Sequence, residues 1–388
     1  MMNYFCMPAD FKKETIDKYA AINEEYKDSK IIETYGNITI NNIIQSGRAE
    51  HDLQKIDIYD LQEYVAYSKE KGIDFNYTMN SPHLNNKEFT PEGIQEIKAF
   101  LAKLYEIGVR TITVALPTMI EIIQSMPYEF NIVTSTLCQV FNPNKAKELK
   151  NKSVKRVVVD ESINRDFGQL KGIARHFYGN VEIIVNPICY KDCVYRMFHY
   201  NEIATDSINQ CGNTSVNYYE HRCVLQRYQR ISNLLRMSWI RPEDLKYYTN
   251  IGINYFKLQG RQLVHRPEAD PVKTVRAYCN QDFDGDVFDL INMFHDINKF
   301  KIYLDNKKLE GFIKPFVEKD DFCAHDCEKC KYCDNFSEKV IDYKKAEEVI
   351  QYAKDFYNEF DKFTVELRKD INEDQKDKDA QLDIEFDL

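Results

Sequence analysis

Eight short apolar runs, each set apart from the next by a helix-like segment or loop, constrain this chain more than any other feature. The runs are Tyr4–Met7, Lys30–Tyr35, Phe75–Met79, Thr111–Leu116, Asn131–Ser135, Arg156–Val159, Val181–Val185 and Tyr255–Leu258. Between them lie Phe11–Tyr26, Ile58–Lys71, Pro91–Ile107, a shorter Thr118–Ser125, Lys145–Leu149 and Ile163–Phe177. Gly72, Gly108, Gly179 and Gly252 stand just ahead of four of the runs, where a residue tolerating the left-handed conformation ends a helix. Val157-Val158-Val159 and Ile183-Ile184-Val185 are apolar without alternation, which suits parallel strands covered on both faces. Eight strands in β-α alternation over about 260 residues match a TIM barrel. The rival is an open doubly wound sheet, but no Gly-x-Gly-x-x-Gly turn follows the first run.

The expected fold class is therefore α/β: a (β/α)8 TIM barrel with a C-terminal helical, cysteine-rich extension. The barrel is placed at residues 1–265, the extension with its metal loop at 266–370, and an acidic disordered tail at 371–388. In the extension, Asp270–Asn280 and Val287–Ile297 read as helices. A longer one carries Ala346, Val349, Ile350, Ala353, Phe356, Tyr357, Phe360, Phe363 and Leu367 at three- and four-residue steps. Packing on the barrel exterior is the expected fate of that stripe, with a dimer face as the alternative.

Charge and cysteine usage narrow the function. Lys and Arg number 52 against 62 Asp and Glu, a net charge of −10, which argues against a protein that coats nucleic acid. No stretch approaches the ~20 apolar residues of a membrane span. The start, Met1-Met2-Asn3-Tyr4-Phe5-Cys6, lacks the basic region and long apolar run of a signal peptide, so a cytoplasmic location is expected. Eleven cysteines in a reducing compartment point to metal binding or catalysis rather than disulfides.

Eight of them fall into two groups. Cys323, Cys327, Cys330 and Cys333 share one short loop, with spacing close to a ferredoxin run and also to paired zinc ligands. An iron–sulfur cluster and zinc are not separated by spacing alone. Cys189, Cys193, Cys211 and Cys223 are more widely spaced and lie in the segment between the seventh and eighth strands. In a TIM barrel, segments that follow a strand build the active-site face. Cys6, Cys138 and Cys279 read as core residues.

Several stretches resemble the collagenase-like peptidase family U-32. They are Val157-Val158-Val159-Asp160 leading into Asn164-Arg165-Asp166-Phe167, the run Cys189-Tyr190-Lys191-Asp192-Cys193-Val194-Tyr195-Arg196-Met197-Phe198-His199, Trp239-Ile240-Arg241-Pro242-Glu243-Asp244-Leu245, and Ile251-Gly252-Ile253-Asn254-Tyr255-Phe256-Lys257-Leu258-Gln259-Gly260-Arg261. The resemblance runs from about Asp74 to Asn292. It implies a TIM-barrel core with cysteine ligands for a 4Fe-4S cluster, here Cys189, Cys193 and Cys223 with Cys211 completing four. Early members of the family were taken to be peptidases. Better understood relatives take part in oxygen-independent hydroxylation of ubiquinone precursors or RNA bases, with prephenate implicated as the oxygen source. The family signature has a Glu, an aromatic and a Gly before the first cysteine, where this chain has Glu182-Ile183-Ile184-Val185-Asn186-Pro187-Ile188. The C-terminal loop is an extra that only some relatives share, and its expected occupant is a second cluster or zinc.

Four polar residues complete the candidate site. Arg196 and His199, three apart, would share a helix face beside the cysteines, the first to clamp a carboxylate and the second to transfer protons, with pairing of Arg196 to an acidic neighbour and helix capping by His199 as the alternative. Lys257 and Arg261, with Gln259, follow the eighth strand, where phosphate or carboxylate sites often sit. Their structural alternative is a salt bridge to Glu243 or Asp244. Asn80, Asn186, Asp160 and Glu161 are further candidates at strand ends, with loop bonding or helix capping as the alternative. His325, inside the second cysteine group, is expected to be exposed or to support its neighbours. The expected function is an iron–sulfur enzyme of the oxygen-independent hydroxylase type. Its expected substrate is a small molecule or a carrier-bound or peptide group, served by an electron donor, with nucleic acid not expected. The alternatives are a peptidase and a non-catalytic iron–sulfur subunit of a heteromer.

Overall fold

A computed structural model describes residues 2–207, 218–292 and 301–355. Cys211, the residues from Phe356 onward and part of the expected Val287–Ile297 helix lie outside the described residues. Eight parallel strands close into a barrel: β1 (Asn3–Pro8), β2 (Ser29–Gly36), β3 (Asp74–Met79), β4 (Thr111–Val114), β5 (Asn131–Thr134), β6 (Arg156–Val158), β7 (Val181–Ile184) and β8 (Tyr255–Lys257). Each pairs with its sequence neighbours, and β8 returns to β1 with Tyr4 opposite Tyr255 and Cys6 opposite Lys257.

The helices between strands are α1 (Lys13–Glu25), α2 (Ile58–Glu70), α3 (Pro91–Glu106), α4 (Pro117–Gln124), α5 (Pro143–Asn151) and α6 (Phe167–His176). Local chemistry sets their starts. Asp57 and Asp60 form a reciprocal capping box at α2, and the Thr90 hydroxyl accepts from Gly93 N just after Pro91 at α3. The expected helix from Ile163 begins later, at Phe167. Asp166 caps it there, and a 3-10 turn over Glu161–Ile163 precedes it. Gly72 (φ 73°) and Gly108 (φ 98°) take the left-handed conformation that turns α2 and α3 into the next strand. On α3 the buried residues Gly93, Ile97, Leu101 and Leu104 repeat at helical spacing and seat the helix on the barrel wall.

Between β7 and β8 the chain makes α7 (Arg196–Thr205), α8 (Tyr218–Gln229), α9 (Asn233–Arg236) and α10 (Leu245–Thr249). Beyond β8 come α11 (Pro271–Asn280), α12 (Val287–Ile291), α13 (Lys314–Glu318), α14 (Cys327–Cys330) and α15 (Tyr332–Val340). α11 packs against β1 and α1, so it completes the outer ring. The helical stretch 343–355 buries Ala346, Ile350 and Ala353 in the same continuous apolar core as the barrel, which gives the stripe its exterior packing role over the described part. Among the described residues no helix is long and apolar enough to cross a membrane.

The barrel interior is polar for half its height. Arg156 on β6 pairs with Glu33 on β2, and its Nε lies 2.8 Å from Glu182 on β7. Lys257 on β8 lies 3.5 Å from Glu182. Asn76 donates to Glu33 at 2.9 Å and accepts from Thr113 at 2.8 Å. Cys6, Glu33 and Glu182 form the one group among the described residues whose three ligand-type atoms lie within 4.8 Å of one another. The two carboxylates are already neutralised by Arg156 and Lys257, so this is an ion-pair layer rather than a vacant metal site. Above it, Val133, Val158 and Ile184 form a small apolar layer.

Candidate active site at the barrel mouth

A pocket of about 510 Å³, including its open mouth, occupies the C-terminal end of the strands. Three cations line it: Arg48 from the β2–α2 loop, Lys257 at the end of β8, and Arg261 just beyond. Arg261 is buried and held in place by oxygen acceptors alone: Asn37, Thr78 Oγ1 at 2.6 Å and Asn80 Oδ1 at 3.2 Å. Burial, then the nearby Arg48, pull its pKa down to about 9. Arg48 is oriented by Gln262 Oε1, at 2.9 Å from its Nε. Lys257 spans two roles, pairing with Glu182 below and lying 3.8 Å from the centre of the Tyr35 ring. The expected alternative, a structural salt bridge, is what Lys257 forms, with Glu182 and not with Glu243 or Asp244, whereas Arg261 forms none among the described residues. Asp244 pairs with Arg241, and Glu243 pairs with Lys307.

The pocket's one carboxylate is Glu161. It is 1 % exposed, and neither of its oxygens has a hydrogen-bond partner among the described residues. Burial raises its pKa above the ordinary value although Arg196 opposes this. Gln259, Asn80, Ser135, Thr136 and Tyr200 add neutral hydrogen-bonding groups to the wall. Asn186, by contrast, is consumed by loop backbone: it donates to Gln259 O and accepts from Gln259 N at 2.7 Å.

Glu161 joins this pocket to the first cysteine group. Cys189 sits beside it, and burial, then Glu161, then Cys223 push the Cys189 thiol well up. Cys193 also lies within electrostatic reach of Cys223, although burial is the main reason its thiol is raised. Three cysteines from the β7–α7 loop and α8 are thus brought together at the functional end. Arg227 donates to Cys223 Sγ at 3.4 Å. Arg196 lies near Cys189 and is anchored by Asp160, whose other oxygen caps the turn at Ser162. Arg196 Nη1 and Arg227 Nε are buried without a partner among the described residues. Buried cationic N–H groups left over beside three thiols suit an anionic centre held by sulfur. His199 lies on α7 among Tyr200 and Tyr219, and burial, then Arg48 and Arg227, lower its pKa to about 4. It is therefore a neutral imidazole at pH 7.

Residues 45–321 match the model of peptidase family U32. The chain belongs to this family. It is similar to an uncharacterized protease of Methanocaldococcus jannaschii, 28 % identical over 342 residues, covering 87 % of this chain and 98 % of that protein. Among solved structures it is similar to the U32 peptidase Mk0906, with a TM-score of 0.48 and 15 % identity over 67 % of this chain and 93 % of that one. A D-psicose 3-epimerase from Clostridium cellulolyticum shares a TM-score of 0.33 and 12 % identity over 54 % of this chain and 83 % of that one.

The second cysteine group of this U32 chain is a separate site. Cys323, Cys327, Cys330 and Cys333 all line one cavity of about 340 Å³, with Arg236 on its wall. Cys330 is exposed and the other three are half-buried. Burial pushes the Cys333 thiol up to about 11. His325 is half-exposed and bonds Asp192 Oδ1 at 3.1 Å, as a supporting residue would.

Sequence reasoning did not single out Arg48, Tyr35, Ser135 or Tyr200 for the pocket. Arg48 lies in a long loop with no motif, and only the closure of the barrel brings it opposite Arg261. Ser135 carried a weak signal, since it ends an apolar run.

Proposed function

We propose that this chain is an iron–sulfur oxidoreductase of the oxygen-independent hydroxylase type, acting at the barrel mouth on an anionic small molecule or on a group presented by a carrier or peptide. One observation carries this reading: Glu161 is a wall shared by a pocket with three cations and by the convergent cysteines 189, 193 and 223. Those cysteines would hold a 4Fe-4S cluster, with Cys211 as the expected fourth ligand. Arg196 and Arg227 would offset its charge. When bound, such a cluster supplies one-electron chemistry and polarises an oxygen-bearing group.

The chain's own residues do the rest. Arg261 and Arg48 bind a carboxylate by charge-assisted hydrogen bonds, and Arg261 arrives preorganised by three oxygen acceptors. A dicarboxylate such as prephenate, which the family resemblance implicates, matches two such clamps. Lys257 adds positive potential from below. Glu161, whose pKa burial raises above the ordinary value, is placed to give a proton to an oxygen leaving the substrate or to take one back. The low pKa of His199 keeps it from adding a further positive charge.

The family's name favours a peptidase as the second reading. A peptidase needs an activated nucleophile or a metal-bound water. The hydroxyls of Ser135 and Thr136 line the pocket, but no histidine does so among the described residues, and Ser135 Oγ accepts from Leu137 N. The geometry therefore favours the first reading. Anaerobic purification followed by absorption spectroscopy and iron and sulfide counts tests it. A broad band near the visible blue, with band intensity and iron content both lowered in C189S/C193S, is expected. Cleavage of gelatin or casein by protein free of iron would refute it in favour of the peptidase.

A further inference from the structure

The C-terminal cysteine cavity shares no lining residue with the pocket at the barrel mouth. Its four thiols face one space of about 340 Å³. A zinc tetrathiolate, with bonds of about 2.3 Å, holds its sulfurs ~3.8 Å apart. No three cysteine sulfurs among the described residues come within 4.8 Å of one another. A cubane is larger than a single ion and spreads its thiolates farther apart. Arg236 and Lys331 line the cavity together with Asp326, and Arg236 Nη2 pairs with Asp334 at 3.2 Å. Arg236 Nε is buried without a partner among the described residues. Arg165 is held behind it between Trp239 and Phe312, 4.7 and 4.9 Å from their ring centres. A buried N–H left over on the wall of a cysteine-lined cavity is the kind of donor that tunes a cluster's potential.

Two short links run from this cavity to the first cysteine group. His325, between Cys323 and Cys327, bonds Asp192, the residue just before Cys193, at 3.1 Å. Arg236, on the cavity wall, stands two residues before Ser238, whose N–H donates to Cys189 O at 3.1 Å. Two residues of extended backbone span about 7 Å. Each link thus begins at one cysteine group and ends at the other. Cys330 is the exposed ligand, so the far side of the cavity faces solvent.

We propose that Cys323, Cys327, Cys330 and Cys333 hold a second 4Fe-4S cluster that accepts electrons singly from an external low-potential carrier and passes them to the centre on Cys189, Cys193 and Cys223. Each transfer oxidises the carrier by one electron and reduces the outer cluster by one. The outer cluster then returns to its oxidised state as the inner one is reduced. The outer site stands on its own geometry, whereas its role as a relay rests on the function proposed above.

The test uses full-length protein prepared without oxygen, with C327S/C330S and C189S/C193S variants. About eight irons are expected in the unmodified protein and about four in each variant. Electron paramagnetic resonance after dithionite reduction should show two coupled spins, resolving to one simple signal in either variant. Stopped-flow reduction by reduced methyl viologen should fill the inner centre at least tenfold more slowly in C327S/C330S. Iron unchanged in C327S/C330S, or zinc in the outer site, overturns the second cluster. An unchanged reduction rate overturns the relay alone. If all iron is lost with C327S/C330S and none with C189S/C193S, the outer cluster stands while the relay and the proposed function both fail. Circular dichroism of each variant separates ligand loss from misfolding.

Discussion

Replacing Arg156 by Met tests the electrostatics on which the barrel rests. Arg156 is 7 % exposed and sits between two buried carboxylates, Glu33 and Glu182, of which Glu182 is fully buried. Its removal leaves Glu33 with only the Asn76 amide and Glu182 with Lys257 at 3.5 Å. Breaking one side of a buried pair typically costs about 3–5 kcal/mol, because the remaining charge stays desolvated. At ~2.1 cal/mol/K of unfolding entropy per residue, a chain of this length loses roughly 5 K of Tm for about 4 kcal/mol. The pH dependence is more discriminating. Burial by itself would raise the Glu182 pKa, but Arg156 and then Lys257 hold it below the ordinary value. In the unmodified protein Glu182 therefore stabilises the fold above its unfolded pKa, and that stability is lost as pH falls through the lower folded one. Without Arg156, burial prevails and the folded pKa rises above the unfolded one, so the variant loses stability as pH climbs through the raised value. The Tm gap between the two proteins should be widest near pH 7.5 and narrow toward pH 5, by differential scanning calorimetry. R156M/E182Q should recover part of the loss. A gap that does not change between pH 5 and 7.5, or no gap, refutes the account.

Three further outcomes follow from other sites. Burial raises the Asp286 pKa to about 6, so the unmodified fold loses stability as pH climbs from the unfolded value through about 6. D286N keeps an oxygen for the N–H groups of Phe288 and Leu304 and should flatten that slope, worth at most ~3 kcal/mol, in urea titrations at pH 4 and 7.5. R261M should weaken dicarboxylate binding by about 10- to 100-fold in calorimetry, the worth of a charge-assisted hydrogen bond. G93A in α3 would ordinarily gain up to about 1 kcal/mol of helix propensity. Here its Cβ would lie 2.0 Å from Lys87 O, so chemical denaturation should show a loss instead.

The strands were legible because burial on both faces writes itself into continuous runs such as Val157-Val158-Val159, and because Gly72 and Gly108 mark where helices must stop. The polar barrel interior was not. β3 reads Asp-Phe-Asn-Tyr-Thr-Met, in which Asn76 and Thr78 could belong to a solvent face as easily as to a closed lumen. Pairing of β2 with β3 sets Asn76 beside Glu33, and closure of the barrel brings Arg156 on β6 across to Glu33 on β2, 123 residues away in sequence. The same asymmetry governs the mouth. The cysteines at 189 and 193 declare themselves by residue type and by position after β7. Arg48 and Glu161 gain meaning only from what they face, the first from Arg261 and the second from Cys189. Arg196 shows the limit from the other side: its spacing from His199 predicts a shared face, yet Asp160 takes its guanidinium and directs it toward the sulfur group instead of the pocket. Spacing within a helix predicts which side chains are neighbours, but the charge already waiting in the turn after β6 decides which way a cation points.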